Sequence, residues 1–333
     1  MTKKRENDEF CRQVFLHADD LGMNRAVTDG IMHGFRHGFL TSTSLLSNAP
    51  DARRALALWK DLIDDQASGR LPSFDLRLRL GDPLSSFDLG VHLNLTQGRP
   101  LTGRDYPEEL LDETGRFPGV IGLFSRLKRH GMRLYQQIHN ELARQVEFLL
   151  DHGLQPTHVN GHQYIEMIPV VSEILPRLLS RYDIHVVRVA KEHSLLRTTV
   201  FKGFSWNTWL MARVKQTFAK RFHQHMEQFE VRHPGRFCGT AHAGQIDMPL
   251  IRLFLDDRDP FCQVEIGLHP ASDAAMESIE ADEDQPGDVQ EGWNDPLAAS
   301  RPNELRLLTS LELAGHLESR HYCLSRLSHL AAA

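Results

Sequence analysis

Two adjacent carboxylates, Asp19 and Asp20, close the first apolar run of the chain, Val14-Phe15-Leu16, and Gly22 and Asn24 then open a helix. Neighbouring acids repel, and neither is buried without a compensating partner. A cation is the simplest partner, because one carboxylate can ligate it while the other stays free to take a proton. A turn that merely contains Asp-Asp is the plain alternative, since turns favour Asp. Ligands at other strand ends decide between the two. His92 lies near the end of the apolar run 89–95, His162 at the tip of 157–162, Arg188 near the end of 184–189, and His269 directly after 262–268. One carboxylate and two imidazoles, with open positions for water, suit a divalent ion such as zinc, iron or magnesium, so Asp20, His92 and His162 are the candidate metal ligands. Asp19 could then take a proton from the attacking water, and His269 could protonate a leaving group. A turn residue before Pro270 is the competing role for His269.

The elements that must position these groups alternate. After the Asp-Asp turn, apolar residues recur every four positions from Ala26 to Phe35 and predict a helix ending near Gly38. Residues 40–46 read as a strand, and a helix with Leu56, Trp59 and Ile63 on one face follows. A firm helix carries Ile138, Leu142, Val146 and Leu149 inward, and another spans 170–179 with Pro176 as an interruption. One or two helices are expected within 194–235, a short strand over 237–240, and a closing helix over 304–317 with Leu307, Leu308, Leu311 and Ala314 inward. Strand then helix, repeated, implies a parallel sheet with helices outside, and the recurrence of ionisable groups at strand C-terminal ends favours a (β/α) barrel. An open doubly wound sheet would also place a site there, but no Gly-rich dinucleotide fingerprint follows the first strand. The expected fold is therefore α/β, a parallel (β/α) barrel forming one domain over 10–320. Segments 64–87, 97–134 and the acidic run 277–296 read as loop insertions. The middle one should cover the strand C-terminal rim, with Tyr106 and Phe117 as aromatic candidates for stacking on a substrate.

Composition narrows the function class. A net charge of −6 argues against a general nucleic-acid binder. The four cysteines, Cys11, Cys238, Cys262 and Cys323, form no CxxC pair and fit a reduced compartment. The charged stretch Met1–Glu9 lacks the apolar core of a signal peptide, and no run reaches the ~18–20 apolar residues that span a bilayer. A cytoplasmic location is expected. Barrels of this size often pair through outer helices, so a homodimer is a further expectation.

ADDLG followed by a helix and TSTSLL, then GVHLNLTQGRPL, THVNGHQYIEMIP and GLHP, together resemble the YdjC-like (ChbG-like) carbohydrate deacetylases in order and spacing from about Phe15 to Leu317. RVAKE at 188–192 stands where that family tends to carry an Arg-x-Pro-x-Glu segment. The resemblance implies a distorted TIM-like barrel, a divalent metal held by Asp20, His92 and His162, a general base at Asp19, and an N-acetylated sugar as substrate. Asn160, Tyr164 and Glu166 depart from the family's usual Asp and His residues at those positions, which bears on ligand orientation and substrate contacts. Two other readings stay open: a metal-dependent hydrolase of a phosphoester or cyclic amide, and a sugar-binding barrel without catalysis. A second metal would favour the phosphoester, and the sequence offers one compact ligand set.

Overall fold

A computed structural model describes residues 12–72, 74–81, 87–192, 206–256, 263–273 and 293–331. Most of the acidic run 277–296 and parts of 64–87 lie outside them. The first strand, β1 (Arg12–Leu21), is the hub of the sheet. It runs parallel to β6 (Gln263–Leu268) along residues 13–18. Its opposite edge is shared, with β7 (Tyr322–Leu324) against residues 12–14 and β2 (Ser42–Leu45) against residues 17–21. The order continues from β2 through β3 (Asp88–Leu93) to β4 (Val159–Gly161), and from β6 to β5 (Arg236–Cys238), every pair parallel. Single bridges carry the curvature onward, from Val159 to Val187 and from Val186 to Arg232. The result is the expected parallel α/β architecture, a distorted and incomplete TIM-like barrel. Its strands are buried on both faces because helices cover them, which is why they read as near-continuous apolar runs.

The connecting helices are α1 (Arg25–His37), α2 (Ala52–Ala67), α3 (Phe74–Arg79), α4 (Gly119–His130), α5 (Tyr135–Asp151), α6 (Pro169–Arg181), α7 (Trp206–Glu227), α8 (Met248–Phe254), α9 (Arg301–Leu308) and α10 (Leu311–Ser319). Asn24 caps α1 by accepting from the Val27 amide at 2.9 Å, as its place after the Asp-Asp turn predicts. Pro176 sits inside α6 without ending it.

Several expectations need correcting. The 64–87 stretch is partly helical, since α2 runs to Ala67 and α3 follows. The 97–134 segment holds two short 3-10 turns and the whole of α4. The predicted strand at 184–189 makes only the isolated bridges given above. The closing helix is two: Ser310 accepts from the Leu313 amide at 3.2 Å and starts α10, which turns Leu311 outward, 77% exposed. Cys238 is a buried free thiol, whereas Cys323 is disulfide-bonded, against the reading of four reduced cysteines. Among the described residues no helix is long and apolar enough to cross a membrane.

Candidate active site

The C-terminal end of β1 departs from regular pairing. Its register with β2 shifts between Ala18 and Leu21, and Asp20 adopts φ +69°, a conformation that costs energy in a residue with a Cβ. Gly22 follows at φ +86° with the Ala52 backbone close by, where a side chain would be strained. This kink sends the two carboxylates apart, so that neighbours in sequence have different surroundings.

Asp20 joins the two histidines. One ligand atom from each of Asp20, His92 and His162 lies within 4.8 Å of the others. Asp20 Oδ1 is 3.0 Å from His162 Nδ1 and 3.3 Å from His92 Nε2. The other oxygen, Oδ2, accepts from Arg301 Nη2 at 2.7 Å. Burial alone would raise the Asp20 carboxyl, but Arg301, His162 and His92 outweigh it and hold it well below the usual range.

Asn160 sets the orientation of His92. Its Oδ1 lies 2.8 Å from His92 Nδ1, and its Nδ2 donates to Asp19 Oδ1 at 3.1 Å. The amide is therefore fixed at both ends, and His92 carries its proton on Nδ1. The Nε2 lone pair then points at a carboxylate oxygen 3.3 Å away, an arrangement that repels unless positive charge lies between the two. Burial opposes a charged His92, yet Asp19 and Asp20 overcome it and raise its affinity for a proton. The residues present thus fit a bound cation: the donor set suits it, and a hydrogen bond behind one imidazole aims its free nitrogen inward. Asn160, which looks like a defect beside the family pattern, ties this imidazole to Asp19.

Asp19 is held by different partners. Oδ2 accepts from Arg188 Nη1 at 2.6 Å, and Oδ1 lies 3.0 Å from His17 Nδ1. Arg188 is itself fixed by Glu265 Oε1 at 2.7 Å and lies over the Phe237 ring. Burial would raise the Asp19 carboxyl, but Arg188 and His17 hold it well below the ordinary range. His17 is pushed down to about 4, chiefly by burial and then by Arg188, and so stays neutral. Its Nε2 lies 2.8 Å from His158 Nε2.

His269 approaches Asp19 from the β6 side, with Nε2 3.8 Å from Asp19 Oδ2 and Nδ1 4.0 Å from Glu304 Oε2. Glu304 anchors this corner, accepting from the backbone N–H groups of His269 at 2.6 Å and Ile246 at 2.9 Å. Burial pushes His269 down to about 4. All five residues picked from the sequence for chemistry (Asp19, Asp20, His92, His162 and His269) line one cavity of about 610 Å³. Gln97, Val120, Ile121 and Phe124 line it too, so 97–134 does reach the rim. Tyr106 and Phe117 do not. They are buried, edge to face with centroids 5.3 Å apart, in the core beneath that segment.

Sequence reasoning missed Arg301 and Glu304, which come from α9, and the supporting roles of His17, His158 and Glu265. Arg301 also donates to Asp295 Oδ2 at 2.7 Å. No local pattern marks an arginine that serves a carboxylate 281 residues away. Glu166 is a second surprise: it is buried, neither carboxylate oxygen has a hydrogen-bond partner among the described residues, and burial pushes it up to about 8. It fits beneath Gly161, where a Cβ would stand 2.2 Å from Glu166 Oε2.

Fold and site together define a class: a parallel α/β barrel with a carboxylate–imidazole cluster at its strand C-terminal ends. More particularly, the chain belongs to the family of YdjC-like proteins, whose model matches residues 13–319. It is similar to carbohydrate deacetylases of Geobacillus stearothermophilus (32% identity over 57% of this chain and 66% of that one) and Clostridium beijerinckii (28%, 59% and 69%). A carbohydrate deacetylase of Vibrio cholerae aligns over 90% of this chain and 89% of its own at 26% identity. The chain thus spans about two thirds of the length of the first of these relatives. Among solved structures, a candidate cellobiose-phosphate cleavage protein of Enterococcus faecalis V583 superposes with a TM-score of 0.66, covering 96% of this chain and 99% of that one. At 19% identity that likeness speaks for the fold alone.

Proposed function

We propose that the chain is a metal-dependent N-deacetylase that hydrolyses the acetamide of an N-acetylated amino sugar. The observation that carries this reading is the convergence of Asp20, His92 and His162 within 4.8 Å on the cavity that also exposes Asp19 and His269. The names of the related deacetylases supply the substrate class. Asp20 Oδ1, His92 and His162 would hold the cation. When bound, a divalent ion supplies Lewis acidity to the amide carbonyl and acidifies a water. Asp19 takes the proton of the attacking water. Its pairing with Arg188 makes it a weak base and a well-oriented one, which suffices for an acidified water. His269, neutral at rest and 3.8 Å from Asp19 Oδ2, receives the proton that Asp19 took from the water and delivers it to the departing amine, so that the carboxylate and the neutral imidazole are both restored. Its Nδ1 lies 4.0 Å from Glu304 Oε2, so the charge that the ring carries in transit sits beside that carboxyl group. Tyr164 and Gln163 line the same cavity and are placed to meet the sugar.

One donor cluster is present among the described residues, which favours this reading over a two-metal phosphoesterase. The deciding experiment incubates the metal-loaded protein with N-acetylated mono- and oligosaccharides and measures acetate and free amine together. Equal release of both supports the reading. Release of phosphate from sugar phosphates with no acetate would replace it.

A further inference from the structure

Beyond the reacting groups, the cavity changes character. Its floor is ionisable, but its outer walls are apolar: Val120, Ile121 and Phe124 come from α4, Val214 and Phe218 from α7. The two helices meet where Phe124 and Phe218 pack edge to face, with centroids 5.8 Å apart. Ile121 is 84% exposed and Val214 43%. Leu210, one turn before Val214 on α7, is 56% exposed. Leu210, Val214 and Phe218 fall at four-residue steps, so they form one stripe of about 12 Å along the helix. Leaving such a contiguous surface in water is unfavourable, and patches of this kind mark binding sites. A sugar ring can stack on Phe124 or Phe218. It gains nothing from Ile121, Val214 or Leu210, which offer neither a ring face nor a hydrogen bond.

Building on the deacetylase reading, we propose that the substrate is amphiphilic: an N-acetylated sugar joined to an apolar aglycone, with the sugar at Asp19 and Asp20 and the aglycone between α4 and α7. Continuity identifies the occupant. The apolar walls belong to the same cavity as the reacting groups, so whatever covers them while an amide sits at Asp19 is joined to that amide's own molecule. A separate protein segment in this place would close the path to the site. The hydrolysis itself is unchanged: water adds to the acetamide, and acetate and the free amine of the amphiphile leave.

The test compares the octyl and methyl glycosides of N-acetylglucosamine on the metal-loaded protein, below the micelle threshold of the octyl compound. Equilibrium binding by calorimetry and kcat/KM for acetate release are measured separately. Each methylene buried strengthens binding by up to about fourfold, so even partial burial of the chain gives the octyl glycoside at least a tenfold advantage, with a negative heat-capacity change. The octyl-to-methyl ratio should fall toward one in I121S and V214S. Both residues are substantially exposed, and circular dichroism checks that the variants fold. Equal binding of the two glycosides by the wild type overturns the proposal whatever the turnover. A tighter octyl complex that releases no acetate leaves the amphiphile site standing and overturns the deacetylase reading instead.

Discussion

Replacing Asp19 by Asn should separate the two neighbouring carboxylates by role. An asparagine at 19 can still accept from Arg188 Nη1 through its oxygen, keeping the 2.6 Å contact in kind. Its amide nitrogen faces His17 Nδ1, which burial keeps neutral with a pKa of about 4, and can donate there only by sharing the lone pair with Arg188 Nη2, 2.9 Å away. The same nitrogen meets Asn160 Nδ2, a donor, so the 3.1 Å hydrogen bond between residues 160 and 19 is lost. The structural cost is thus one buried hydrogen bond, about 1–3 kcal/mol. The groups proposed to hold the metal stay in place, while a side chain able to take a proton is gone. Loss of a general base lowers turnover ~100-fold or more, about 2.7 kcal/mol or more in the barrier. Asp20→Asn works otherwise. It removes the charge from the oxygen that stands 3.0 and 3.3 Å from the two imidazoles, so metal affinity falls first and added metal restores part of the activity. The assay is metal content by elemental analysis beside acetate release, for both variants, across a metal titration. If Asp19→Asn loses the metal and Asp20→Asn keeps it, the roles are reversed. If Asp19→Asn turns over within threefold of wild type, no general base resides there.

Glu166 gives a pH-dependent outcome. Its folded pKa, raised to about 8 by burial, means that the folded state keeps a proton that the unfolded chain releases above about 4.5. Stability supplied by that proton is present below pH 4.5 and lost as pH rises toward 8, on the order of a few kcal/mol in all. Glu166→Gln should therefore raise the Tm of the metal-free protein at pH 8 and change it little at pH 5; an equal change at both values refutes the assignment. Gly161→Ala places a Cβ 2.2 Å from Glu166 Oε2 and 2.9 Å from the Glu166 backbone nitrogen. Overpacking of this kind costs about 1–3 kcal/mol, read as a lower urea midpoint, and it should weaken metal binding through the adjacent His162.

Strand ends were legible because each polar tip follows directly on an apolar run: Asp19 and Asp20 after Val14-Phe15-Leu16, His92 after Leu89, His162 after Val159. Parallel pairing then brings such tips to one rim, so order and period alone group them. The aromatic pair at 106 and 117 misled for a physical reason. A stretch rich in Gly and Pro reads as an exposed loop, yet its turns and α4 pack Leu110, Leu123 and Leu127 into the core together with Tyr106 and Phe117. The break at Ser310 had its signal, a serine at the start of a helix, but the leucine spacing ran across it. Arg301 had none, since its partner is fixed only by the closed course of the whole sheet.

That last pairing has a consequence for how the protein is made. Asp20 is synthesised 281 residues ahead of the guanidinium that balances its second oxygen. Leu324 on β7, later still, shares an edge of β1 with β2. A growing chain therefore carries an acidic strand end whose arginine has not yet been synthesised, and it cannot complete the sheet around its own first strand. Synthesis at about 5–20 residues per second puts that interval at tens of seconds. Through it, β1 has a bare edge and an unbalanced charge, which is the state a holding chaperone would meet.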